Sequence, residues 1–193
     1  MARQYFNSQS ADSIIAQSST GSITTITNIF AAEVAERAFP VPYGIGSSPY
    51  AGQLFKFSFG GILTTGTAGT LVITPWFGGG GTGVGVNMGA SIAQQYTPSI
   101  TNAPFLVEGY LSFRTISMTA TTSTAWLTGQ LQTIGVAGTA GSDWAQTFGS
   151  TAAVSVDTSG LATAHTFGAL NFSATFSVAS TISAQWSCMQ SLN

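Results

Sequence analysis

Apolar and polar residues alternate with a period of two over most of this chain, the pattern of strands with one covered face. In Gln53 to Leu63, Phe55, Phe57 and Phe59 fall on one side and Lys56 and Ser58 on the other. Pro104 to Ser117 places Phe105, Val107, Leu111 and Phe113 opposite Glu108, Ser112 and Arg114. Glu108 and Arg114 share a face but stand about 20 Å apart along an extended chain, so they cannot pair within the strand. Ser123 to Val136 sets Leu127 and Leu131 against Gln130 and Gln132. Leu170, Phe172, Phe176 and Val178 alternate, and Ile182, Ala184, Trp186 and Cys188 follow with the same step. Thr70 to Phe77 is nearly all apolar, as in a strand covered on both faces, and Pro75 within it points to an edge or a bulge.

Clusters of Gly, Pro, Ser and Asn separate these runs. The spacing predicts about eight or nine strands in an all-β fold, an antiparallel β-sandwich of jelly-roll-like form. Ala31 to Ala38 has good helix formers, but Phe39-Pro40 ends it, and it reads as a strand entering the sheet. No repeat of 20 to 50 residues is visible, which excludes solenoids and propellers. Residues 1–21 are polar with scattered apolar positions and read as an extended N-terminal arm. Tyr5, Phe6, Ile14 and Ile15 are its candidate anchors on a partner. Residues 22–193 then form a single β-sandwich domain.

Composition changes the picture from fold to function. Only 5% of the 193 residues are charged, against about 25% in a typical soluble domain. Ser and Thr together make 51 residues and Gly 23, while 44% of the chain is hydrophobic. No charged side chain occurs between Phe57 and Val107, or after Asp157. Four cations and a net charge of −2 leave no footprint for nucleic acid or an anionic membrane. A hydroxyl- and glycine-rich surface suits a protein packed against other subunits, since a free monomer normally relies on mixed charge for solubility. The first residues hold no apolar run before a small-residue cleavage site, so no signal peptide is expected, and no run is long enough for a membrane helix.

Candidate chemistry is sparse. The glycine run from Gly78 to Gly85 lacks the Lys-Ser/Thr pair of a phosphate-binding loop and reads as a loop between strands. The single histidine, His165, has Asp143 and Asp157 as possible orienters, but no nucleophile elbow surrounds any serine. Glu33, Glu36, Glu108, Asp143 and Asp157 show no spacing that pairs two carboxylates for glycoside hydrolysis. Cys188, the lone cysteine, sits in an alternating segment and reads as a small buried hydrophobe. Neither a catalytic residue, a cofactor nor a metal ligand is expected. Turn-rich aromatics offer one alternative chemistry, a glycan platform built from Trp76, Tyr96, Trp126 and Trp144, with Tyr43 and Tyr50 as further candidates.

A set of segments in fixed order carries a resemblance: Phe-Pro-Val-Pro (39–42), Tyr-Ala-Gly-Gln-Leu-Phe-Lys-Phe (50–57) and Thr-Ala-Gly-Thr-Leu-Val-Ile-Thr-Pro (67–75). After them come Thr-Asn-Ala-Pro-Phe-Leu-Val-Glu-Gly-Tyr-Leu-Ser-Phe-Arg-Thr-Ile (101–116) and Ile-Ser-Ala-Gln-Trp-Ser-Cys (182–188). Over residues 22 to 193 the chain resembles the jelly-roll structural proteins of tailed-bacteriophage virions, especially head decoration or cement proteins and related minor head or tail components. The resemblance implies a non-enzymatic virion protein, made in the host cytoplasm, that cements the capsid shell. Its partners would be the major capsid protein or other virion subunits, and copies of itself in a homo-oligomer, a trimer by preference. The alternative within the same resemblance is a tail or head-fibre module that binds host-surface glycan through exposed aromatics.

Overall fold

The computed structural model describes residues 27–29, 40–41, 50–65, 69–78, 85–89, 91–96, 100–117, 123–133, 146–156, 168–178 and 180–192. Every regular element among them is a strand: β1 (Thr27–Asn28), β2 (Pro40–Val41), β3 (Leu54–Thr65), β4 (Gly69–Gly78), β5 (Gly85–Asn87) and β6 (Ile92–Tyr96), then β7 (Ile100–Thr115), β8 (Ser123–Thr133), β9 (Gln146–Gly149), β10 (Val154–Val156), β11 (Gly168–Phe176) and β12 (Ser180–Ser191). The arm, with Tyr5, Phe6, Ile14 and Ile15, lies outside the described residues. So do Ala31 to Ala38, Asp143, Trp144, Asp157 and His165.

Two antiparallel sheets form. The first runs β1-β11-β4-β5, with β2 also on β11 and β6 also on β4. The second runs β10-β8-β7-β3-β12, with β9 also on β8. Six long strands carry the alternation seen in the sequence, and six short ones of two to five residues extend the sheets. The chain crosses between sheets from β3 to β4 and again from β11 to β12. Because β3 pairs with β12 and β4 with β11, the four strands make one antiparallel ribbon bent over both sheets. Thr70 and Ser177 pin the bend: the Thr70 N–H donates to Ser177 Oγ at 2.8 Å, and the Ser177 N–H to the Thr70 carbonyl at 3.0 Å.

The alternating aromatics meet between the sheets. Phe172 of β11 lies 4.8 Å from Phe59 and 5.4 Å from Phe57, both on β3, and 6.2 Å from Phe148 on β9. Phe77 of β4 meets Phe113 of β7 edge-on at 5.8 Å, and Phe113 meets Phe55 at 6.2 Å. Tilted and edge-to-face contacts suit the ring quadrupoles. One continuous apolar core thus joins the two layers, an antiparallel β-sandwich.

Two local departures have physical causes. Pro75 sits in an interior strand rather than at an edge, with β11 on one flank of β4 and β5 and β6 on the other. Its carbonyl accepts the Met88 N–H at 3.0 Å, so its nitrogen faces the same flank. There β6 ends its pairing at Ile73 and β5 begins at Trp76, so no ladder bond is lost at the proline. The second departure is a bulge in β12 between Ala184 and Trp186, which pair with the consecutive residues Gly61 and Gly60. Gln185 is the extra residue, and every side chain after it changes face. Trp186 and Cys188 therefore turn outward, while Ser187, Met189 and Ser191 turn inward. Cys188 is half-buried on the outer face rather than in the core.

The bulge leaves a mark on the core, where Ser187 Oγ is buried without a hydrogen-bond partner. A buried hydroxyl with no partner keeps its desolvation cost. Ser187→Ala is expected to raise stability by about 1 kcal/mol. The urea midpoint should rise with no change in slope; an unchanged or lower midpoint would mean that the hydroxyl has found a partner.

Candidate functional site

The outer face of the second sheet gathers the charged side chains of the described residues. Its residues are the polar positions of the alternation: Lys56 and Ser58 on β3, Glu108, Tyr110, Ser112 and Arg114 on β7, and Trp126, Thr128, Gln130 and Gln132 on β8. Pairing registers set them in rows. Lys56 stands beside Tyr110 and Thr128, and in the next row Ser58, Glu108, Gln130 and Thr147 follow across four strands. All three charged side chains among the described residues, Lys56, Glu108 and Arg114, stand on this face.

Glu108 and Arg114 each take a partner on β8. Glu108 Oε1 accepts from Gln130 Nε2 at 2.7 Å and more weakly from Gln132 Nε2 at 3.5 Å. The Arg114 guanidinium lies 5.7 Å from the centre of the Trp126 ring, a cation–π contact on an exposed face. The sequence expectation that Glu108 and Arg114 do not pair is met, and their actual partners come from β8.

Between the two rows lies a shallow cleft of about 330 Å³. Lys56, Tyr110 and Thr128 line one side and Glu108, Gln130 and Thr147 the other, over a floor at Gly109 and Gly129. Three large rings stand exposed on the same face: Tyr110 at 40%, Trp126 at 42% and Trp186 at 43%. Gly60 opposite the bulge lets the Trp186 indole lie on β3, since a Cβ there would come within 2.9 Å of the ring.

The rings expected to form a glycan platform are not assembled. Trp76 is on the outer face of the first sheet, where its Nε1 donates to Ser173 Oγ at 2.8 Å, and Trp126 is on the far side of the sandwich. Two rings on opposite outer faces cannot line one platform. Tyr96 closes β6 in the first sheet opposite Gly69, and Trp144 lies outside the described residues. Tyr50 is exposed in the turn before β3. The rings that do share a face include Tyr110 and Trp186, neither singled out from the sequence. Tyr110 has the parity of Glu108 and was open to that reading; the orientation of Trp186 depends on a bulge that parity hides. The glycine run joins β4 to β5, whose Gly78 and Gly85 pair directly, as a loop between strands should.

The first sheet has a different character. Val72 and Thr175 are cross-strand neighbours on its outer face, half-buried, beside the buried Thr74, Asn171 and Ser173. Its described residues carry no charged side chain. Comparison with protein-family models, with curated proteins and with solved structures finds no match to the chain.

Proposed function

We propose that this protein is a structural component of a tailed-phage virion, a decoration or cement protein that clamps the head shell as a homo-oligomer, a trimer by preference. The observation that carries the reading is the segregation of charge. Lys56, Glu108 and Arg114 all lie on the second sheet, and the described part of the first sheet is neutral. A decoration protein needs one face for the lattice and one for solvent, and this division supplies both. The first sheet, whose described residues are uncharged, is the lattice side in this reading. A clamp that binds only the assembled lattice stabilises it by mass action. Attachment through neutral contacts also avoids the weakness of exposed ion pairs.

The test uses purified particles carrying the full-length protein. Hundreds of copies per particle are expected, against the few of a tail component. Raising salt from about 0.05 to 0.5 M, which shortens charge screening to a few ångströms, should release little protein. Placing two carboxylates on the first sheet with Val72→Glu and Thr175→Glu should abolish attachment, while Ser58→Glu on the second sheet should leave it intact. Loss by the Ser58 variant alone, or stripping by moderate salt, would reverse the assignment of faces.

A further inference from the structure

We propose that the cleft on the outer face of the second sheet binds a neutral saccharide, with Tyr110 as its stacking surface and Glu108 as its principal hydrogen-bond acceptor. This goes beyond the structural reading, because it concerns the face turned to solvent and does not depend on what the other face holds. The class of ligand follows from the lining. A hexose presents flat patches of C–H alongside a rim of hydroxyls that both donate and accept. It is recognised by an exposed aromatic face next to planar polar groups held in fixed directions.

The cleft has these parts. Tyr110 is 40% exposed and stands at its wall. Glu108 is held through Oε1 by Gln130 and Gln132, which leaves Oε2 for an incoming hydroxyl. Lys56 opposite supplies donors, and Thr128 and Thr147 supply hydroxyls that serve either role. All stand on adjacent strands of one sheet, so the site is built on rigid elements rather than loops.

The same lining excludes other classes. One cation facing one carboxylate makes a site of no net charge, unsuited to phosphates or nucleic acid. A lipid chain laid in the cleft would desolvate the Lys56 and Glu108 charges without giving either a partner. Trp126 and Trp186, exposed beyond the two ends of the cleft, extend the aromatic surface diagonally across the face and favour a chain of sugars over a single one.

The probes are glucose, galactose and their β1-4-linked tetramers, titrated into the full-length protein with Trp and Tyr fluorescence and NMR line broadening as readouts. A single hexose should bind with a Kd of roughly 1–10 mM. A tetramer should bind about tenfold more tightly through the flanking rings. Tyr110→Ala should weaken the tetramer about tenfold. Glu108→Gln, which keeps the shape and removes the charged acceptor, should weaken it by a factor of about ten or more. Trp76→Phe, on the opposite face, should change nothing. An acidic tetramer of galacturonate is the charge control and should bind no better than its neutral counterpart. Binding by none of the four neutral sugars, binding by the Tyr110 and Glu108 variants as tight as by the unaltered protein, or a preference for the acidic tetramer would each overturn the proposal.

Discussion

Phe172→Ala is expected to lower the free energy of unfolding by about 3–5 kcal/mol, the range for truncating a fully buried phenylalanine. Phe172 is completely buried and is the ring through which β11 meets the second sheet. It touches Phe57, Phe59 and Phe148, which belong to two different strands. Removing it opens a void bounded by three rings that cannot all collapse inward, because Phe57 and Phe59 are fixed to β3 and Phe148 to β9. For a chain of this length the melting temperature should fall by about 6–20 °C. Phe172→Leu keeps most of the volume and should cost less than half as much. Guanidinium denaturation of the three proteins gives the comparison. A loss below about 1 kcal/mol for the alanine variant would mean that the sheets do not pack through this ring.

Gly61→Ala should be nearly as damaging, for the opposite reason. A Cβ at Gly61 would collide with the Ser183 carbonyl oxygen and come within 2.9 Å of Ala184 Cα. Both obstacles are backbone, so no rotamer change can make room. The ladder between β3 and β12 would have to part beside the bulge, loosening Ile182, Ala184 and Met189 in the core. The expected loss is about 3 kcal/mol, the upper part of the range for overpacking. Ser58→Ala, three residues away on the outer face of β3, should stay within about 0.5 kcal/mol. Equal stability of the Gly61 and Ser58 variants would show that the close approach is not tight.

The contrast between these sites marks what the chain discloses in one dimension. Phe55, Phe57 and Phe59, and Phe105 through Phe113, obey strict parity in regular strands, so their core faces are legible at once. Parity fails in β12, where one inserted residue turns Trp186 and Cys188 outward, and the residues across from it, Gly60 and Gly61, lie more than a hundred residues earlier. The cleft is half legible for a related reason. Glu108 and Tyr110 belong to one strand and share a parity. Their partners Gln130 and Lys56 reach them only through registers that no local pattern specifies. Trp76 and Trp126 look alike in sequence, both in strands rich in Thr and aliphatic residues, yet the sheet each strand joins separates them.

The bent ribbon that joins the sheets also sets the order of events as the chain is made. β3 can pair with β7 early, but its other flank is closed by β12, with Phe55 opposite Ser191 and Thr65 opposite Ser180. At 5–20 residues per second, about 6–25 s separate the synthesis of the two strands. During that interval β3 offers a bare edge and a row of three phenylalanines, the features that recruit foreign strands. Slow, non-local closure of this kind is typical of sandwiches. Yield in the cell should therefore depend on how long β3 is kept from its copies on neighbouring ribosomes. The last long strand ends that exposure.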